Sequence, residues 1–303
     1  MDRNSENILR KLPSVIEERI RQLPGSIIEC FEEIRLKTFE DTVVISEGRE
    51  ISLHDGKLVT PDLIDETLNR LLDYSYYAYE EELSKGYITI EGGHRVGLCG
   101  TVTMKDGKVH LIKYVSSLNI RRSRQIIGVS GKIINSVCDE KRRIIRNTLI
   151  ISPPKCGKTT ILRDLARNLS GRGYRVGICD ERSEIAGCYN GKSSFDLGSR
   201  TDILDGCPKS EGILMLIRSM SPDVIITDEI GRKEDVGAID SALCAGVKTI
   251  TTIHGSSYED VENSAVGELI KRHVFETLIF LSAEPSMGTV KRIMKLSHMG
   301  KGA

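Results

Sequence analysis

Between Asn147 and Thr160 a short apolar run, Leu149-Ile-Ile151, breaks into Ser-Pro-Pro-Lys-Cys-Gly-Lys-Thr-Thr and then resumes at helical spacing through Ile161, Leu162, Leu165 and Leu169. The run suits a strand buried on both faces, and the spacing after it suits a helix packed on one side. A turn between such a strand and helix gathers unpaired amides and the positive end of the helix dipole at one point, which favours an anion there. The stretch therefore predicts a phosphate cradle made of Pro154, Lys155, Cys156, Gly157, Lys158, Thr159 and Thr160. Lys158 would add charge at β- and γ-phosphates, and Thr159 a hydroxyl for Mg²⁺.

The fit to the pattern G-x-x-x-x-G-K-[ST] departs at its first position, where Ser152 stands in place of Gly. Pro153 and Pro154 carry no N–H, so the cradle amides must come from residues 155–160. Lys155 is the unusual choice, because a positive φ there would cost a Lys about 1–2 kcal/mol that Gly avoids. The plainer alternative is a strand-turn-helix rich in small residues.

At 303 residues the chain is long enough for two domains, each with its own core. The 43 basic and 43 acidic residues cancel, which removes any global attraction to nucleic acid or to an anionic membrane and leaves only local basic patches. Trp is absent and aromatics make up 5%, so stacking platforms for single-stranded nucleic acid are few. The eight cysteines form no C-x-x-C pair and no zinc-like spacing with His. With no signal peptide in view, they read as reduced thiols of a cytoplasmic protein. Cys156 is either a small space-filler or, because a helix N-terminus lowers a thiol pKa, a site open to oxidation. No apolar run is long enough to span a bilayer, so membrane association would come through a partner.

Residues 1–125 read as an α+β domain. A helix is expected from Ile8 to Leu23, then strands at Phe31 to Lys37 and Thr42 to Ser46. Thr60-Pro61 opens a helix running to about Leu83, with Leu63, Leu68, Leu71, Leu72, Tyr76 and Tyr77 on one face, and the tyrosines are expected in the core. Strands follow at residues 87–90, 94–99, 101–104 and 109–112, the last two joined by a Lys105-Asp-Gly-Lys108 hairpin turn. Two basic segments, Arg121-Arg-Ser-Arg124 and Lys141-Arg-Arg-Ile-Ile-Arg146, flank the passage to the second domain. Most such runs are solvated faces, but these also lie where a neighbouring subunit's phosphate could be reached.

Residues 126–303 alternate strands and helices, which argues for right-handed βαβ units and a mainly parallel sheet. Strand Tyr174 to Cys179 ends in Asp180-Glu-Arg-Ser-Glu184, strand Asp223 to Glu229 runs into its own Asp228-Glu229, and strand Val247 to Ile253 ends in His254. Ligands of such sheets gather at the carboxyl ends of strands, so all three points converge on the predicted cradle. Asp228 would hold Mg²⁺ partly through water, and Glu229 would polarise an attacking water. His254 would hydrogen-bond a γ-phosphate or that water. Taken singly, a polar turn and a satisfied histidine are the ordinary readings. Ser256-Ser-Tyr-Glu-Asp260 starts a helix running toward Lys271, residues 275–281 and 288–294 form a closing hairpin, and the last few residues fray.

Asp180-Glu-Arg-Ser-Glu184, Arg218-Ser-Met-Ser-Pro-Asp-Val-Ile-Ile-Thr-Asp-Glu-Ile-Gly231 and Ala245-Gly-Val-Lys-Thr-Ile-Thr-Thr-Ile-His-Gly255 resemble, in that order, the boxes of the type II/IV secretion ATPase superfamily. With Gly92-Gly-His-Arg-Val-Gly-Leu-Cys-Gly100 and Gly198-Ser-Arg-Thr-Asp-Ile-Leu-Asp-Gly-Cys-Pro-Lys209, the chain resembles the stage III sporulation protein AA family within it. Lys155 departs from the Gly expected in that family's phosphate loop. The resemblance implies a RecA-like P-loop NTPase domain preceded by the smaller α+β domain. It further implies ATP and Mg²⁺ as ligands, a hexameric ring of copies, and a place on the cytoplasmic, mother-cell side of an endospore-forming cell. There the ring would meet an integral-membrane component of a channel complex leading to the forespore.

On that reading Glu229 or Glu184 activates water and His254 senses the γ-phosphate. A charge from the neighbouring subunit completes the site, with Arg95, Arg121 and Arg124 as candidates ahead of Arg200 and Arg232. Two rivals stand beside it: an ATPase that grips nucleic acid with its basic segments, and a scaffold that binds nucleotide without turnover.

Overall fold

The structure is a computed structural model, and it describes residues 3–54 and 56–296. The expectation of a frayed end falls on the final residues, outside that range. Two compact units emerge, one running up to Arg124 and taking in Gly187–Ser194, the other comprising Gln125–Ala186 and the chain from Phe195 onward.

The N-terminal unit opens with α1 (Arg3–Lys11), α2 (Ser14–Arg21) and α3 (Gly25–Cys30), where the sequence predicts one helix. Pro13 and Pro24 cause the breaks: each takes an extended ψ and stands at the N-cap of the helix after it. Next come β1 (Phe31–Lys37), β2 (Val43–Ser46), β3 (Arg49–Ser52), α4 (Pro61–Leu71), a 3₁₀ turn at Tyr76–Tyr79, α5 (Glu80–Ser84), β4 (Tyr87–Ile90), β5 (His94–Lys105) and β6 (Lys108–Arg121). The strands form one antiparallel sheet in the order β3-β2-β1-β6-β5-β4. Thr60 caps α4 by accepting from the Leu63 N–H, as Thr before Pro predicts.

The helix expected to run on to Leu83 stops at Leu71, because Asp73 and Tyr74 turn left-handed at φ 48° and 59°. There the Asp73 carboxylate accepts from Lys11 at 2.8 Å and from the Tyr189 hydroxyl at 2.7 Å. Tyr189 belongs to the Gly187–Ser194 segment, whose Tyr189-Asn-Gly-Lys192 turn has positive φ at Asn190 and Gly191. Losing the helix corrects the placement of the tyrosines: Tyr79 is buried, but Tyr76 is exposed and Tyr77 is 93% exposed. The two strands expected at 94–104 are one, bent at a bulge around Gly100, where a Cβ would meet the Tyr114 carbonyl oxygen at 2.7 Å.

The second unit begins with a 3₁₀ turn at Val129–Lys132, followed by α6 (Ile134–Val137), β7 (Cys138–Asp139) and β8 (Ile144–Ile145). Its main body is β9 (Thr148–Ser152), α7 (Lys158–Gly171), β10 (Val176–Asp180), β11 (Thr201–Asp205), α8 (Lys209–Met220), β12 (Val224–Thr227), α9 (Lys233–Cys244), β13 (Lys248–His254), α10 (Tyr258–Glu262), α11 (Gly267–Lys271), β14 (Thr277–Ser282) and β15 (Thr289–Lys295). The sheet order is β11-β10-β12-β13-β9-β14-β15, parallel throughout except for the final hairpin. β9, β10 and β12 are buried along their whole length, which is why they read as unbroken apolar runs. Periodicity misses β11, which lies at the sheet edge and is only half-buried, along with the short β3, β7 and β8. The single helix expected before Lys271 is two. The Ser264 hydroxyl donates to the Val261 carbonyl and accepts from the Val266 N–H, competing with helical hydrogen bonding at the break. Among the described residues no helix is long and apolar enough to cross a membrane.

α8 packs on β10 and β11 at Gly212, where a Cβ would come within 2.5 Å of Cys179 Sγ and 3.2 Å of Leu204 Cδ2. Ala is the better helix former by about 1 kcal/mol, but overpacking costs about 1–3 kcal/mol. Gly212→Ala is therefore expected to lower the urea midpoint, and adding Cys179→Ala to recover part of the loss. A Gly212→Ala protein more stable than wild type would show that helix propensity outweighs the packing.

Candidate nucleotide site

β9 carries its buried residues straight to Ser152, and the chain must then turn without N–H groups at Pro153 and Pro154. Lys155 sits at φ 61° and Gly157 at φ 79°, so the left-handed turn that would strain a Lys is present. Cys156 is buried with its thiol directed at the Pro154 carbonyl, which makes it a space-filler. α7 starts at Lys158 with Gly157 as its N-cap and no side chain capping it. By helix geometry the amides of its first turn lack intrahelical partners and point outward with the dipole. Gly288 packs its backbone 3.7 Å from where a Gly157 Cβ would stand, closing the turn from behind.

The turn forms one wall of a cavity of about 560 Å³. The predicted cradle residues Pro154, Lys155, Cys156, Gly157, Lys158, Thr159 and Thr160 all line it, together with Glu184, Asp228, Glu229 and His254. The ammonium of Lys158 lies 2.8 Å from His254 Nδ1, and His254 Nε2 lies 3.0 Å from Glu229 Oε2. Because an ammonium only donates, His254 accepts at Nδ1 and donates from Nε2 to Glu229. Partial burial lowers the Lys158 pKa, against the pull of Glu229, Cys156 and Glu184.

Asp180 does not join the cavity wall. It is fully buried, and its carboxylate accepts the backbone N–H groups of Glu184, Ile185 and Ala186 at 2.8–2.9 Å. Buried Arg163 on α7 grips the same loop from outside, donating to the Glu184 and Ile185 carbonyls and stacking on Phe195 at 3.8 Å. Burial brings the Arg163 pKa down to about 10. Together these two residues set the path on which Glu181, Arg182 and Glu184 reach the cavity.

Asp228 follows the last residue of β12, and its backbone carbonyl is held by the Thr251 hydroxyl. Burial raises its pKa, opposed mainly by Lys209. Asp235 turns the chain after Glu229 by accepting the N–H groups of Gly231 and Arg232, which leaves the Arg232 guanidinium exposed at the rim, 3.7 Å from Glu181. Arg200 lies just before the amino end of β11, while the cavity forms at the carboxyl ends. Arg95, Arg121 and Arg124 belong to the N-terminal unit. Arg95 stacks on Tyr87 at 3.8 Å, Arg121 pairs across strands with Glu33 and Arg95, and Arg124 donates to the Phe31 carbonyl.

Sequence reading missed Lys209, whose ammonium is 2.6 Å from Glu181 and 3.0 Å from Asp228. Burial works against its charge, but the two carboxylates outweigh that and raise its pKa. A signal was present: a Lys directly after Pro208 opens a helix, where the dipole disfavours a cation.

Asp228 Oδ1 is buried and faces the Lys209 ammonium at 3.0 Å, a position that suits a cation. Among the described residues no group of three or more His, Cys, Asp or Glu side chains is arranged to hold a metal by itself. The donor set thus fits a Mg²⁺ that arrives with phosphate oxygens of its own, bound through Asp228 and Thr159.

A buried, mainly parallel sheet with a glycine-lysine-threonine turn after the interior strand β9 defines a RecA-like P-loop NTPase fold. The same fold occurs in the pilus retraction motor PilT, crystallised with ADP (15% identity, TM-score 0.58, covering 92% of this chain and 80% of that one), and in the ATPase DotB of Legionella pneumophila (14%, TM-score 0.57, 89% and 76%). The chain itself belongs to the family described as sporulation stage III, protein AA, whose model matches residues 2–299. It is 42% identical over 294 residues to stage III sporulation protein AA of Bacillus subtilis (strain 168), covering 94% of each chain.

Asp180→Ala would remove the acceptor of three backbone N–H groups, two of them buried, at about 1–3 kcal/mol for each buried one before relaxation. We expect a loss of about 3 kcal/mol in denaturant unfolding and faster hydrogen exchange at Glu184, Ile185 and Ala186. Unchanged exchange at those three amides would refute the anchoring role.

Proposed function

We propose that this chain is a Mg²⁺-dependent ATPase of the secretion-motor type that works as a hexameric ring during endospore formation. The ring acts at the cytoplasmic, mother-cell face of a membrane-spanning channel complex, docked on an integral-membrane component. The observation that carries this reading is the convergence of four strand ends on one cavity, bringing a phosphate turn, two acidic segments and a histidine together. Membership of the sporulation family supports the cellular setting.

In this mechanism Lys158 and the amides of residues 155–160 hold the β- and γ-phosphates, while Thr159 and Asp228 hold Mg²⁺, Asp228 partly through water. The metal ion, when bound, neutralises charge on the phosphate oxygens. Glu229 takes the proton of the attacking water, with Glu184 as the alternative base. His254 links Lys158 to Glu229 in the nucleotide-free arrangement. A γ-phosphate that draws Lys158 away breaks the first of those contacts, so His254 passes site occupancy to the base. The charge from the neighbouring copy comes from Arg95, Arg121 or Arg124, then Arg232 and Arg200. Such a residue is worth roughly 10³–10⁵ in rate.

Phosphate release measured against protein concentration tests the reading. Specific activity should rise as the ring assembles, vanish in Lys158→Ala, and fall about 100-fold or more in Glu229→Gln. Full turnover in Glu229→Gln would move the base role to Glu184. A wild-type protein that binds nucleotide at high concentration with Mg²⁺ and releases no phosphate would leave a scaffold in place of an enzyme.

One observation favours a second reading. Tyr77, expected in the core, is exposed, Tyr114 is exposed as well, and Lys113 adjoins Tyr114. Such surfaces suit stacking on single-stranded nucleic acid. Stimulation of phosphate release by single-stranded DNA or RNA, falling steeply with salt, would promote that reading, and its absence at low salt would remove it.

A further inference from the structure

The proposed chemistry has no use for Lys209, yet the fold commits a buried ammonium to it. Lys209 is the first residue of α8, where the helix dipole opposes a cation, and its side chain is only 8% exposed. Its two contacts differ in length. The Glu181 carboxylate accepts a hydrogen bond at 2.6 Å. Asp228 Oδ1 lies farther from the same ammonium, at 3.0 Å. A buried carboxylate needs a compensating cation, and this one is supplied by an arm tied elsewhere. Asp228 can be given up at the cost of the longer contact, while the shorter one to Glu181 keeps the arm in the cavity.

We propose that Lys209 is a tethered counter-cation of the metal-free site. It neutralises Asp228 until a divalent ion arrives with phosphate, then remains on Glu181, so that Asp228 does not take up a divalent ion by itself. The inference rests on the reading of Asp228 as the metal carboxylate, and it assigns Lys209 a positioning role with no contact to the reacting atoms. Removing the ammonium leaves Asp228 without its cation and Glu181 with only the exposed Arg232 guanidinium at 3.7 Å. Two consequences follow that loss of packing does not share: a divalent ion alone binds more tightly, and the stability lost without metal returns when metal is added.

The probe is Mn²⁺ alone, followed by the free-ion electron paramagnetic resonance signal, on the full chain as wild type, Lys209→Met and Lys209→Arg. Thermal unfolding in EDTA and in millimolar Mn²⁺ runs alongside. Lys209→Met should bind Mn²⁺ at least roughly tenfold more tightly than wild type, and Lys209→Arg should match wild type. Adding Asp228→Asn to Lys209→Met should erase the gain. The melting temperature that Lys209→Met loses in EDTA should return with Mn²⁺. Equal Mn²⁺ affinity in wild type and Lys209→Met, or a stability loss that Mn²⁺ leaves untouched, reduces Lys209 to packing and overturns the proposal. Should Lys209→Met not fold, Lys209→Gln takes its place with the same criteria.

Binding of a fluorescent ADP analogue to wild type, with and without Mg²⁺, separates the two levels of inference. Mg²⁺-dependent binding with no gain of Mn²⁺ affinity in Lys209→Met sinks the Lys209 proposal alone. No nucleotide binding by wild type sinks the nucleotide reading and this proposal with it.

Discussion

The cavity depends on the parallel register of four strands. His254 pairs with Ser152 across β13 and β9, and Cys179 pairs with Thr227 across β10 and β12. Parallel strands in such register finish along one edge, so the residues just beyond their ends emerge side by side. The same strands are buried on both faces, and each fully buried Ile, Val or Leu contributes about 1.5–3 kcal/mol. That apolar layer is what makes it possible to hold several charges close together at the edge.

The charges themselves are arranged by what each can accept or donate. Asp180 faces inward and spends its oxygens on three backbone amides, so it shapes the acidic loop instead of meeting a ligand. Glu181 is answered by Lys209, and Glu229 by His254, which in turn takes a hydrogen bond from Lys158. Asp228 Oδ1 faces the same Lys209 ammonium at 3.0 Å. One cation is thus shared between two carboxylates, Glu181 and Asp228. Lys155 adds a local strain to this edge, since a left-handed Lys in the phosphate turn gives up the freedom that a Gly would have kept.

Much of this was legible in the chain. Leu149-Ile-Ile151 followed by Gly157-Lys-Thr159 announces a strand, a turn and a helix, because a doubly buried strand and a helix face leave distinct periodicities. The Asp-Glu after β12 and the His at the end of β13 were readable for the same reason. Less was legible where local signals compete. Pro13 split a helix whose apolar spacing ran through it, and Asp73 left α4 to meet Lys11 and Tyr189. Tyr76 and Tyr77 followed that departure into solvent.

By itself the sequence determined the alternation of strands and helices around the phosphate turn and the residue types at the ends of β9, β10, β12 and β13, since those follow from spacing along one chain. Only the tertiary structure decided which of those residues face the cavity and which support it. Lys209 reaches Glu181 across 28 positions, and the Gly187–Ser194 segment leaves the nucleotide-site unit to place Tyr189 against Asp73 across 116. Contacts at such separations depend on strand register and on which buried polar groups must find partners, and neither quantity has a period that a linear reading can detect.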